Sequence, residues 1–149
     1  MRVDFYLLDR DPAEAVVPLL ARAAKKAGER VLVVSNDAEQ ISRIDKALWE
    51  TAPDAFLAHG IAGEGYEARQ PVLISAEIGP DTGAANDASF VILADGKWRD
   101  ESSKFARTFL LFGDDRRQEA RDCWTMIGQN DAMERHFWKQ DGGKWREMG

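Results

Sequence analysis

Apolar and polar positions follow two alternating patterns over residues 1–50. Val3–Leu8 and Arg30–Val34 are short and rich in β-forming residues, and the second is a nearly continuous aliphatic run, typical of a strand covered on both faces. Residues 12–28 and residues 37–48 instead place apolar side chains at helical spacing. The order strand, helix, strand, helix predicts an α/β fold built on a mostly parallel sheet.

The local signals at the helix ends agree with this pattern. Gly28 is suited to end the first helix, and Asp37 is suited to cap the second, with Gln40 in the position of a capping box. Further along, short apolar runs bounded by Gly, Pro or Asp predict three more strands: Ala55–Ala58, Gln70–Ser75 and Ser89–Ala94. The central sheet is therefore expected to contain at least five strands.

The remaining segments predict one more unit of the same kind. A short helix is expected around residues 100–107, an apolar stretch follows at 109–112, and a longer helix is expected from about residue 115 to 128. A final strand and a turn lead into a tail from about residue 141 that is predicted to be mobile. The Gly-rich segment 59–65 has neither the dinucleotide fingerprint nor P-loop spacing, so it is predicted to be a flexible surface turn.

Composition bounds the domain count and the kind of partner. The chain has 149 residues, 44% hydrophobic and 31% charged, which suits one hydrophobic core and a single domain over residues 1–149. The net charge of -6 disfavours a protein that holds DNA by neutralising its phosphates. Residues 97–149 carry 11 basic and 10 acidic side chains, against 9 and 16 before them, and hold four of the five tryptophans. This last third is therefore the part best suited to an acidic partner.

Cysteine and histidine usage argues against a metal site. Cys123 is the single cysteine, and the two histidines cannot complete a four-ligand zinc site with it. No apolar run approaches the ~20 residues that span a bilayer, and Arg2 and Asp4 are charged where a signal peptide needs an apolar core. We therefore expect no cofactor, no membrane association and a cytoplasmic location.

Two aspartates after the first strand suggest an enzymatic alternative. Asp9 and Asp11 have the spacing at which phosphatases of the haloacid dehalogenase class place a nucleophile and an acid/base. That motif has a small hydroxylated residue two places further on, where this chain has Pro12 and Ala13, and an Asp-x-Asp-Pro string is equally a turn before a helix. A small phosphatase is therefore the alternative hypothesis.

The last long helix presents two neighbouring faces. Its apolar stripe consists of Ala120, Cys123 and Ile127. The adjacent face, at positions i, i+4 and i+7, consists of Arg117, Arg121 and Trp124. Two guanidinium groups and an indole beside an apolar groove suit a short peptide with a carboxylate and an aromatic ring. A charged helix face is also often only a solvated face, and Cys123 is expected to be a buried, inert thiol.

Trp49 is the second exposed feature. It lies about 100° from the centre of the apolar stripe of its helix, so it should not point into the core. A large aromatic residue at the edge of a helix suggests an apolar docking surface. Alternatively, the ring covers the edge of the sheet or an adjoining loop.

Several strings of residues occur here in the order and spacing of one family. They are Phe5-Tyr6-Leu7-Leu8-Asp9, Arg30-Val31-Leu32-Val33, Gln40 with Arg43, Asp45 and Ala47-Leu48-Trp49, Phe56 with His59, Ala62-Gly63-Glu64-Gly65, and Pro71-Val72-Leu73-Ile74. Together they resemble the chi subunit of bacterial DNA polymerase III. The resemblance implies a Rossmann-like three-layer α/β sandwich without catalytic activity, which is an accessory of the clamp loader and contacts DNA only indirectly.

The resemblance also implies a first partner. In that family one face binds the psi subunit, which joins chi to the clamp loader. Trp49 and Phe56 resemble the exposed aromatic residues of that partner-binding face by their positions.

A second implied partner is single-stranded DNA-binding protein. In that family its C-terminal tail, which is acidic and ends in phenylalanine with a free carboxylate, binds a separate face. Arg117, Arg121 and Trp124 resemble the basic and aromatic positions of the tail-binding helix, and Leu111 or Phe112 would belong to the pocket wall. This is the ligand chemistry that the helix face suits on its own residues.

Overall fold

A mostly parallel sheet forms the centre of the fold. The computed structural model describes residues 1–50, 59–63, 70–78, 86–141 and 144–148. Its strands are β1 (Arg2–Leu7), β2 (Val31–Val34), β3 (His59–Ile61), β4 (Val72–Ser75), β5 (Phe90–Leu93), β6 (Arg107–Phe112), β7 (Glu134–Asp141) and β8 (Lys144–Glu147). Its α-helices are α1 (Ala13–Lys26), α2 (Ala38–Glu50) and α3 (Arg117–Gly128). The α/β prediction is confirmed.

The strand order places the two ends of the chain near one edge of the sheet. The order is β3-β4-β2-β5-β6-β1-β7-β8. All neighbouring strands are parallel except β7 and β8, which form an antiparallel pair. The first strand therefore lies between β6 and β7, and the last helix and its flanking strands surround it.

The two faces of the sheet pack against different helices, because successive side chains of a strand point to opposite faces. One face, with Tyr6 and Leu111, is covered by α1 and α2. The other face, with Phe5 and Phe112, is covered by α3. The stripe that α3 buries is the predicted one: Ala120, Cys123 and Ile127. Coverage on both sides explains why β2 is aliphatic throughout.

The predicted helix ends are observed with one difference. Gly28 adopts a φ of 79° just after α1, a conformation that glycine reaches without steric cost. The N–H groups of Glu39 and Gln40 donate to Asp37 Oδ1 at 3.0 and 3.4 Å. The Gln40 side chain does not complete a capping box, since its amide donates to the carbonyl of Ala94 at 3.0 Å. It thereby ties α2 to the end of β5.

Several segments differ from the sequence predictions. His59–Ile61 is a strand beside β4 and not a surface turn. The helix expected around residues 100–107 is a short 3-10 helix, Asp100–Lys104, because β6 begins at Arg107. Lys144–Glu147 pairs with β7 where a mobile tail was expected. The strand predicted at Ala55–Ala58 lies outside the described residues.

A buried carboxylate connects β1, β6 and β7. The Asp4 side chain is 0% exposed. It accepts hydrogen bonds from Arg107 Nε at 2.8 Å, Trp138 Nε1 at 2.9 Å and Arg2 Nε at 3.1 Å. Burial raises the pKa of Asp4, but these donors outweigh burial and hold the pKa below its usual value. The charged form of Asp4 therefore connects β7, the strand next to the edge strand β8, to β1 and β6.

Candidate functional site: an aromatic groove lined by cations

A groove of about 590 Å³ lies between α3 and β7, on the face of the sheet that α3 covers. Its floor consists of Phe5, Leu7, Phe112 and Ala120. The wall formed by α3 presents Arg117, Arg121, Trp124 and Thr125. The opposite wall presents Phe137, Lys139 and Met148.

The strand register gives the groove a mouth rich in cations. Lys139 on β7 lies beside Leu7, and Leu7 lies beside Phe112 on β6, where that strand ends. Because α3 starts shortly after β6, its first residue, Arg117, also belongs to this end of the groove. Lys139 and Arg117 therefore stand on opposite walls at the carboxyl ends of the strands.

The inner level of the groove is aromatic. Phe137 lies beside Phe5 in the register of β7 and β1. The Trp124 ring meets both rings edge-on, with centroids 5.2 Å from Phe5 and 6.3 Å from Phe137. The Met148 N–H donates to the carbonyl of Phe137 at 2.7 Å, which places the Met148 backbone beside Phe137. An aromatic ligand bound here would contact the aromatic rings and the methionine that line this level of the groove.

The orientation of Trp124 is fixed from outside the groove. The guanidinium of Arg135 lies over the indole at 4.3 Å from the ring centroid. The same side chain donates to the carbonyl of Trp124 at 2.7 Å. Arg135 occupies the space beside Gly128, where an added Cβ would come within 2.3 Å of its guanidinium. Trp124 is therefore a rigid part of the wall.

The three cations that line the groove differ in whether they already form an ion pair. Arg117 is 47% exposed and pairs with Asp114 at 2.8 Å, so part of its charge is neutralised. Arg121 and Lys139 are exposed, and within the described part of the chain neither forms an ion pair. Arg121, which lies between the mouth and the aromatic level, is consequently the α3 cation best placed to bind an incoming carboxylate.

The structure brings together all four residues predicted for the basic and aromatic site. Phe112, Arg117, Arg121 and Trp124 line the same groove. The choice between Leu111 and Phe112 for its wall is resolved by the alternation of β6, because Leu111 points to the opposite face.

Sequence reasoning missed the groove's second wall. Phe137 and Lys139 come from β7, and Met148 follows β8. The alternation of Phe137 and Lys139 on one face of a strand was a usable signal. The sequence did not show that this strand lies next to β1.

The predicted partner surface is described only in part. Trp49 is 61% exposed, as its position on α2 predicted. Its ring meets His59 edge-on, with centroids 4.8 Å apart. The His59 side chain is 1% exposed, and its Nε2 lies 3.0 Å from Asp45 Oδ1. Phe56 lies outside the described residues.

The aspartates of the phosphatase hypothesis line a larger cavity of about 770 Å³ at the carboxyl ends of β1, β5 and β6, which adjoins the groove and is called here the crevice. Asp11 accepts a hydrogen bond from Gln140 Nε2 at 2.7 Å. This bond, with a weaker one from Arg10, lowers the pKa of Asp11, which does not suit a general acid. Asp9 and Asp11 therefore gain no support as a catalytic pair.

The single cysteine and the metal-ligating residue types can be assessed in the described part of the chain. Burial raises the pKa of the Cys123 thiol to about 12, which makes a thiolate nucleophile unfavourable. Among the described residues, no group of three or more His, Cys, Asp or Glu side chains could hold a metal ion. Within the same residues, no helix combines the length and apolar character needed to cross a membrane.

Fold and groove together define an α/β protein with an aromatic groove whose walls carry cations. Residues 1–138 match the family described as DNA polymerase III chi subunit, HolC. The chain therefore belongs to the DNA polymerase III chi subunit family, as its sequence strings indicated.

Two relatives are named DNA polymerase III subunit chi. The one from Escherichia coli (strain K12) is 37% identical over 78 residues, which cover 48% of this chain and 53% of the relative. The one from Haemophilus influenzae (strain ATCC 51907 / DSM 11121 / KW20 / Rd) is 30% identical over 74 residues, which cover 48% of this chain and 51% of the relative. The chain thus spans about half the length of these curated relatives.

Proposed function

We propose that this protein is a non-catalytic accessory subunit of DNA polymerase III that connects the clamp loader to single-stranded DNA-binding protein in the cytoplasm. Family membership supports a role in DNA replication. The placement of α1 and α3 on opposite faces of the sheet supports a Rossmann-like three-layer sandwich. Contact with DNA would be indirect, in keeping with the net charge of -6.

The observation that carries this proposal is the convergence of Arg121 and Trp124 on one apolar groove. The acidic tail of single-stranded DNA-binding protein would place its terminal ring between the aromatic walls. Its terminal carboxylate would then meet the guanidinium of Arg121 in a charge-assisted hydrogen bond. The contact area is small, so a single tail should bind with micromolar or weaker affinity, and an oligomer with several tails should bind more tightly.

Removal of the tail tests this function. We expect the purified protein to capture intact single-stranded DNA-binding protein, and to lose that capture when the last few residues of the partner are deleted. The interaction should also weaken as salt is raised. Equal capture of the intact and truncated partners would contradict the proposal.

The surface around Trp49 would bind the second partner, the psi subunit, where the cell has one. Trp49 lies on α2, near the β3 edge of the sheet, whereas the groove lies beside β7, near the opposite edge formed by β8. Both partners could then be bound at once. Phe56 would extend this surface.

Replacement of Trp49 with alanine tests that surface. Tryptophans that anchor interfaces often contribute about 2 kcal/mol or more to binding. We therefore expect Trp49→Ala to reduce capture of the clamp-loader partner by ten-fold or more, while binding of a tail peptide stays unchanged. Unchanged capture of the loader partner by the variant would reject this surface.

A further inference from the structure

Lys139 stands across the groove from α3, and the proposed function assigns no part of the ligand to it. It lies on β7 beside Leu7 and lines both the groove and the crevice. Its side chain is exposed and makes no ion pair within the described residues. A cation that borders an apolar groove without a partner is available to an anionic ligand.

We propose that Lys139 forms a second carboxylate subsite, which binds an acidic side chain upstream of the ligand's terminal aromatic residue. This inference rests on the proposed function, because it concerns the same groove and the same class of ligand. It adds a specificity-determining residue on the wall opposite α3.

The spacing along β7 supports two separate anion positions. Phe137 belongs to the aromatic level, and Lys139 lies two residues further towards the mouth, about 7 Å along the strand. A terminal ring and its own carboxylate belong to one residue, so both must stay near Trp124 and Arg121. In this arrangement the anion at Lys139 comes from another residue, one or two positions upstream in an extended peptide.

The neighbouring crevice limits how far this recognition extends. Beyond Lys139 the cavity is lined by the arginines Arg10 and Arg116 and by a larger number of carboxylates, which include Asp9, Asp114 and Asp115. These would repel further acidic side chains that followed the same direction. Acidic residues further upstream should therefore contribute less than the one that meets Lys139.

A double-mutant cycle tests the contact directly. The probes are two labelled synthetic peptides with a C-terminal phenylalanine, one with upstream aspartates and one in which the aspartate nearest the phenylalanine is asparagine. We expect Lys139→Gln to bind the first peptide about three- to ten-fold more weakly than the wild type. The same substitution should change binding of the asparagine peptide little, because the partner charge is already absent.

Lys144→Gln provides the matched control, because Lys144 is exposed on β8 and does not line the groove. It should bind both peptides like the wild type. Equal binding of the aspartate peptide by Lys139→Gln and the wild type would overturn the subsite and leave the proposed function intact. Failure of the wild type to bind either peptide would overturn both.

Discussion

Replacing Arg121 with glutamate should weaken binding of an acidic tail peptide by about a hundred-fold, or about 3 kcal/mol. The substitution removes a charge-assisted hydrogen bond and sets a carboxylate against the ligand's own carboxylate. Arg121 is exposed on α3, so the change should leave the fold intact. Titration of the labelled peptide into the variant and the wild type measures the difference.

Arg22→Glu is the control for this experiment. Arg22 is exposed on α1, on the opposite side of the sheet, so it gives the same charge change far from the groove. The affinity of the Arg22→Glu variant for the tail peptide should stay within about two-fold of the wild type, because the charge is distant from the groove and screened by salt. Equal losses in both variants would mean that only net charge matters, which would contradict a specific site at Arg121.

Replacing Asp4 with asparagine should lower the free energy of unfolding by about 3 kcal/mol at neutral pH. The change keeps the shape of the side chain but leaves the guanidinium groups of Arg107 and Arg2 without their carboxylate. Both arginines are partly exposed, so we expect the low end of the range for broken buried ion pairs. Urea unfolding followed by circular dichroism measures the loss.

The stability difference between the wild type and Asp4→Asn should be present at neutral pH and should disappear at low pH. Because the folded-state pKa of Asp4 is lowered, its stabilisation is present above the ordinary value of 3.8 and is lost as the pH falls through the folded-state pKa. The wild type and Asp4→Asn should therefore begin to converge in stability as the pH falls below about 3.8. Asp122→Asn, on the exposed face of α3, should match the wild type throughout. A constant gap for Asp4→Asn down to low pH would show that its charge is not the stabilising feature.

Much of the local structure could be predicted because the sequence signals are local. The aliphatic run of β2, the cap at Asp37 and the stop at Gly28 each depend on a few neighbouring residues. The face shared by Arg117, Arg121 and Trp124 follows from helical spacing alone. These predictions needed no knowledge of how distant segments meet.

The parts that could not be predicted depend on long-range pairing. Lys139 reaches the groove only because β7 adds beside β1, more than 130 residues away in sequence. Asp4 gave a weak signal, a single carboxylate within an apolar strand, and its partners come from three strands. The strand at His59–Ile61 is short and contains Gly60, so its composition resembles that of a turn.

The N–H resonances of the tryptophan indoles test the central claim most directly, because each tryptophan reports on one place in the fold. In a titration of the isotope-labelled protein with the acidic peptide, we expect the Trp124 indole resonance to shift progressively and saturate. The resonances of Trp49 and of Trp138, which donates to Asp4 at 2.9 Å, should stay in place. A Trp124→Phe variant assigns the signal. A shift of Trp49 with Trp124 unmoved would place the peptide on the other surface and contradict the account.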